Sequence, residues 1–381
     1  MAEAYHKGLK TWQWMMLFGF LLWVALFAAH RLGLIPEELP LGSLVFVSAL
    51  HLLAGLVILQ GACEALILGV ERLRARYRWD SFIAGTIGAF IDALPELVVI
   101  AFVVRVDALA AFLIAVVAIY NNALVFSVYS FFLPKDVKGK FLMPDAVTRA
   151  GTEVLIAGSG ITLVLGLVLL ALRSETHKTV LNRIDLGLIA VILFVIFGFY
   201  LHSLLHYYAK GEEEEKKTLD PASRRTGWFA IIGMFALGVL GAFAGGESVS
   251  AFAEAAIHRM SLPPVPTALI LAFFAAMSEY VIVYKSHRRG ELGIALSNVF
   301  GGITQVMFLI LPFTLAVIAL SNYCIPINFT TTIVILLLFP VFFVLFEYLE
   351  EDHTLNNLDA AGMVSIFVLI LYVLLFISGR W

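Results

Sequence analysis

Charge is what this 381-residue sequence has least of: 14% of its residues are Asp, Glu, Lys or Arg, 61% are hydrophobic, and mean hydropathy is +0.96. A soluble domain carries about 25% charged residues, so the polar surface needed to meet water is missing. Cysteine is scarce too. Cys63 and Cys324 are the only two, both in or beside apolar runs, which excludes a disulfide framework and a cysteine-based metal site. There is no HExxH, no GxSxG and no phosphate-cradling glycine loop, so neither hydrolase chemistry nor an ATP-driven pump is indicated, and no cofactor is expected. The net charge of −3 is small and by itself says nothing about nucleic acid, which is not expected as a partner. Alternating runs of about ten residues are also absent, which disfavours a β-barrel.

Long apolar runs are present instead, so the fold class read here is an all-α polytopic membrane protein with the lipid bilayer as its principal partner. Charges and prolines bracket eleven segments long enough to span: Trp12–Ala29, Leu41–Val70, Ser81–Val104, Ala108–Leu133, Val147–Leu172, Leu186–Tyr208, Trp228–Ile257, Val265–Tyr284, Leu292–Leu320, Ile327–Phe346 and Ala360–Ile377. Most of the basic residues, including Arg72, Arg74, Arg76, Arg78, Lys135, Lys138, Lys140 and Lys285, fall on one side of the resulting alternation. The positive-inside bias makes that side cytoplasmic. The N-terminus is then cytoplasmic and the C-terminus outside, as an odd number of spans requires, and a prokaryotic inner membrane is expected. The first run lacks a small-residue cleavage site and reads as a retained span.

Two carboxylates interrupt this apolar pattern. Glu96 in LPELVV and Glu279 in MSEYVI each lie well inside a span-length segment, where a charge costs at least about 2.5–3.5 kcal/mol. They are 183 residues apart, and the same shift lays Gly55 on Gly238, Glu64 on Glu247 and Arg105 on Arg288. GACE faces AGGE, and ELVVI faces EYVIV. The shift superposes spans two to six on spans seven to eleven. An odd number of spans per copy forces the second copy to be inverted, an architecture that places transport sites at the midplane. The expected organisation is therefore an extra helix in residues 1–40, a first five-helix repeat in 41–209, an acidic cytoplasmic linker in 210–226, and a second repeat in 227–381.

The chemistry follows from oxygen atoms. Pro95 precedes Glu96 and predicts a kink or break in its helix, freeing carbonyls beside the carboxylate. Ser278 takes that place before Glu279. The next span of each half supplies neutral oxygens: Asn121 and Asn122 in the first, Asn298, Thr304 and Gln305 in the second, with Asn122 and Gln305 related by the shift. Hard cations take such ligands. Buried amides also glue helices together at about 0.6 kcal/mol each, and Gly301 and Gly302 permit close packing with or without a ligand. Glu64 and Glu247, in spans two and seven, suit either a proton relay with gating or an interhelical hydrogen bond. Asp92 lies one turn before Glu96, with Ala275 at the shifted position, and suits either a relay that adjusts charge at the site or a simple contact with water. Glu212, Glu213, Glu214 and Glu215 form either a solvated linker or a regulatory cation site.

At this point a resemblance is readable. The stretch GGITQVMFLILP, with Thr304, Gln305, Met307 and Pro312, resembles the second α-repeat of the calcium/cation antiporter superfamily, most closely its cation/proton exchanger branch. IDALPELVV resembles the first α-repeat, with a Pro-Glu more like the sodium/calcium exchangers. The acidic segment after span six resembles the acidic helix of the proton-coupled branch. The resemblance implies exchange of a cation, Ca²⁺ first, for H⁺ by alternating access rather than an enzymatic reaction. Two nearby carboxylates repel each other in a low dielectric, which makes holding protons in place of the cation workable. Na⁺-driven Ca²⁺ exchange and monovalent cation/H⁺ exchange stay open, as do an ion sensor without transport and assembly into a homo-oligomer.

Overall fold

The computed structural model describes residues 11–36, 39–77, 93–143, 145–175, 178–203, 227–290, 292–350 and 353–377. Asp92 and the run Glu212–Glu215 lie outside these residues. Within them the chain is almost entirely helical, and nine helices are long and apolar enough to cross a membrane, or ten if one bent pair counts as a single span. The expected third span, Ser81–Val104, is described from Ala93 onward.

The helices fall into two compact units, each drawing segments from both sequence halves. In the first, residues 1–102 and 217–261, α1 (Thr11–Arg31) and α7 (Trp228–Glu254) pack on α2 (Leu41–Tyr77). The α2–α7 seam is built on glycine. A Cβ placed on Gly55 would lie 2.6 Å from Val249 Cγ2 and 2.9 Å from the Gly245 carbonyl, so the helices touch backbone to backbone. Small residues permit this approach in lipid, where van der Waals contact rather than the hydrophobic effect holds helices together. Gly238 meets Leu66 and the Ala62 carbonyl in the same way. Gly55 therefore faces Val249 while Leu66 faces Gly238, so the two helices run antiparallel. Under the 183-residue shift each contact becomes the other: 55 maps to 238, 66 to 249 and 62 to 245. At its C-terminal end α2 continues through the arginines to Tyr77, where Arg76 stacks 4.8 Å over the Trp228 ring.

The second unit, residues 103–216 and 262–381, is organised around α4 (Ala108–Tyr129), which is buried along nearly its whole length. Asp107 caps it, accepting from the Ala110 N–H at 2.8 Å. Around α4 stand α8 (Pro264–Ala275), α10 (Leu292–Gln305), α11 (Leu311–Leu320) and α14 (Asn357–Tyr372). Outside them α5 (Asp145–Glu175) packs on α12 (Phe329–Leu336) and α13 (Leu338–Glu350), and α6 (Arg183–Ser203) packs on α11. The expected tenth span is thus two helices with a turn at Leu337. Pro340 explains the break, since it has no N–H to give and its ring crowds the carbonyl four residues back. Pro312 does the same to the ninth span, where Val306–Ile310 widens into a π-helical turn just before α11.

Two short antiparallel ladders tie the loops of this unit. β1 (Phe141–Leu142) pairs with β4 (Thr354–Leu355), and β2 (Val180–Leu181) pairs with β3 (Ile325–Pro326). Each ladder joins two loops to which the positive-inside alternation assigns the same side of the membrane.

Candidate cation-exchange site

Both marked glutamates occupy the same place in short helices that begin inside a span. Glu96 is the third residue of α3 (Leu94–Val106), and Glu279 is the third residue of α9 (Met277–Arg289). The two helices have identical length and begin and end 183 residues apart. A turn precedes each, at Ala93 and Ala276. The proline argument accounts for the first break only. In the second, Ser278 stands where Pro95 would be, yet α8 and α9 still meet at a 47° bend. Both carboxylates are buried. Near a helix N-terminus a carboxylate meets unsatisfied N–H groups and the positive end of the helix dipole, which offsets part of its desolvation.

Around Glu279 the second unit forms a compact polar cluster. Asn122, from the buried α4, donates through Nδ2 to Glu279 Oε2 at 3.3 Å. The phenol of Tyr280 donates to Asn122 Oδ1 at 3.0 Å. Gly302 of α10 closes the third wall. A Cβ there would lie 2.6 Å from Glu279 Oε2 and 2.8 Å from Asn122 Nδ2, in space the carboxylate and amide already use. Its neighbour Gly301 has room, the nearest atom to its would-be Cβ being Gln305 Nε2 at 3.9 Å.

The remaining expected ligands are placed as follows. Asn121, one residue and 100° round the helix from Asn122, turns to α8 and donates to the Leu269 carbonyl at 3.4 Å. Thr304 is buried and spends its hydroxyl on the Gly301 carbonyl at 3.0 Å. Gln305 and Asn298 are half-buried on α10, and the Ser278 side chain is not among those described. Of the relay candidates in the first unit, Glu64 is half-buried on α2 and Glu247 is exposed on α7. Tyr280 was missed by sequence reasoning, where the only available sign was a phenol beside an intramembrane glutamate. A second pair was missed with it. Tyr129 and His287 meet through Tyr129 Oη and His287 Nδ1 at 3.0 Å, seven and eight residues beyond Asn122 and Glu279. Those spacings keep both pairs on one α4–α9 seam, about 10–12 Å apart by helix rise.

Residues 228–376 match the family model for the sodium/calcium exchanger protein. No curated protein matches the sequence. Among solved structures, the H⁺/Ca²⁺ exchanger CAX superposes with a TM-score of 0.68 at 12% identity, covering 95% of this chain and 89% of that one. YfkE gives 0.59 at 14% identity over 92% and 98% of the two chains. The sodium-calcium exchanger NCX_Mj gives 0.54 at 17% identity over 86% and 98%. The chain thus has the fold of these exchangers, and its segment 228–376 is similar to the sodium/calcium exchanger family.

Proposed function

We propose that this protein is a secondary antiporter that exchanges Ca²⁺ for H⁺, with Glu96 and Glu279 as the two carboxylates that take either the cation or protons. The observation that carries the reading is the equivalence of α3 and α9: two thirteen-residue helices, 183 residues apart, each starting inside a span and each holding a buried glutamate at its third position. The reciprocal glycine contacts of α2 and α7 support the inverted repeat that this equivalence presumes. Asn122 supplies a polar neighbour to Glu279, and the same shift assigns Gln305 the matching role in the other half. Spans two and seven, with Glu64 and Glu247, are the moving pair, and the acidic residues Glu212–Glu215 serve as a cytoplasmic cation sensor.

The test is Ca²⁺ uptake into proteoliposomes under an imposed pH gradient without Na⁺. The wild-type chain takes up Ca²⁺, and Glu96→Gln and Glu279→Gln do not. Undiminished flux in both variants would sink the reading. The match of residues 228–376 to the sodium/calcium exchanger model favours a second reading, in which Na⁺ replaces H⁺ as counter-ion. A Na⁺ gradient applied at constant pH separates the two.

A further inference from the structure

The polar cluster at Glu279 has a direction. An ionised carboxylate only accepts hydrogen bonds, so the amide of Asn122 must turn its N–H face to Glu279, as it does at 3.3 Å. Its carbonyl oxygen then points the other way and is held by the Tyr280 hydroxyl at 3.0 Å. The one neutral oxygen next to Glu279 that belongs to the buried α4 is thus already occupied. A cation bound at the carboxylate would meet N–H hydrogens where it needs an oxygen, because Ca²⁺ and its like take oxygen ligands alone. To complete a coordination shell, Asn122 has to rotate its amide and surrender the bond to Tyr280.

We propose that Tyr280 is a positioning residue whose phenol competes with the transported cation for a single oxygen, Asn122 Oδ1. This deepens the functional reading given above and rests on Glu279 being a transport carboxylate. The phenol suits the part. Its hydroxyl donates to Oδ1 in the cation-free arrangement and can accept from Nδ2 once the amide has rotated, so the amide has a partner in both positions. The cation-free bond uses the hydroxyl as a donor, the rotated one leaves its hydrogen idle, and the phenol therefore favours release. The ring is fixed independently of the hydroxyl, 5.5 Å from the Phe273 ring, so the hydroxyl can be removed without removing the ring. The lack of a Cβ at Gly302 leaves to the carboxylate and the amide the space that a side chain there would take.

The experiment uses Tyr280→Phe in the full chain, reconstituted in proteoliposomes, with Ca²⁺ as the probe and half-saturating concentration and turnover read separately. Loss of one competing hydrogen bond lowers the half-saturating Ca²⁺ concentration about fivefold and slows turnover, because the cation leaves more slowly. A purely structural tyrosine would do the opposite and weaken binding. The second measurement repeats the substitution in an Asn122→Ala background, where the contested oxygen is gone and Tyr280→Phe should shift the half-saturating Ca²⁺ concentration no further. Unchanged or weaker Ca²⁺ binding in Tyr280→Phe overturns the proposal, and so does an equal shift with and without Asn122. Glu279→Gln, measured in the same vesicles, reports on the functional reading itself. Full flux in that variant overturns the reading, whereas abolished flux alongside an unshifted Tyr280→Phe overturns only the competition of Tyr280 for Asn122 Oδ1.

Discussion

Two adjacent glycines give the site its sharpest test. At Gly302 a methyl group would stand 2.6 Å from Glu279 Oε2 and 2.8 Å from Asn122 Nδ2, against ordinary carbon–heteroatom contacts near 3.4 Å. Restoring contact distance moves the carboxylate or the amide by roughly 0.6–0.8 Å. The bond between them is already long at 3.3 Å, so that displacement ends it. A hydrogen bond to a charged group is worth about 1.5–3 kcal/mol, and overpacking adds about 1–3 kcal/mol. Gly302→Ala is expected to raise half-saturating Ca²⁺ by about 10- to 100-fold in proteoliposome uptake. Gly301→Ala is the control within the same helix turn. Its methyl meets nothing closer than Gln305 Nε2 at 3.9 Å, and alanine improves helix propensity by up to about 1 kcal/mol, so transport and thermal stability should hold. If Gly302→Ala transports as well as the wild type, or if the two variants lose activity equally, the packing at Glu279 is not what the geometry describes.

Two further outcomes follow from the seams and the loops. Gly55→Ala and Gly238→Ala insert methyls at shift-related points of the α2–α7 contact, and each should lower stability by about 1–3 kcal/mol, read as melting of the detergent-solubilised protein; a clear cost at one site and none at the other would contradict the reciprocity of the seam. Cys324 is exposed next to β3, while Val137 is fully exposed in the loop leading to β1, so membrane-impermeant thiol reagents should label native Cys324 and a Val137→Cys variant lacking Cys324 from opposite faces; labelling from one face would break the alternation of spans.

The sequence showed the spans and the two carboxylates because both signals are strong there. An apolar run of twenty residues has few alternatives, and a glutamate inside one is costly enough to stand out. The 183-residue shift was legible for the same reason, and the coincidence of Leu94–Val106 with Met277–Arg289 is finer than the apolar pattern itself could suggest. What escaped was set by tertiary geometry. Asn121 and Asn122 are neighbours in the sequence and looked like one ligand set, yet helical rotation sends one to the Leu269 carbonyl and the other to Glu279. Tyr280 looked like one more aromatic of the span, because nothing in the run MSEYVI says which way its hydroxyl points. The four two-residue strands have no periodicity to read, and they exist only because loops distant in sequence meet.

The break before Glu279 shows that proline is not the element's cause but one way of meeting a requirement. Both α3 and α9 begin so that their glutamates sit at the third helical position, in the first turn at the positive end of the helix dipole. Pro95 suits that start, since a proline at the beginning of a helix forfeits no internal bond. The second half reaches the same start through the turn at Ala276. Placement at the helix N-terminus returns about 0.3–2 kcal/mol to the carboxylate, and the bond from Asn122 returns about 1.5–3 kcal/mol. Set against an insertion cost of at least about 2.5–3.5 kcal/mol and the loss of hydration inside a packed helix bundle, these terms come close to balance without a large surplus. A carboxylate held near that balance is neither locked into one ion pair nor expelled from the span. Small free energies, those of a proton, a dehydrating cation or one phenol hydroxyl, then decide its partner, which is the condition an exchange site has to satisfy.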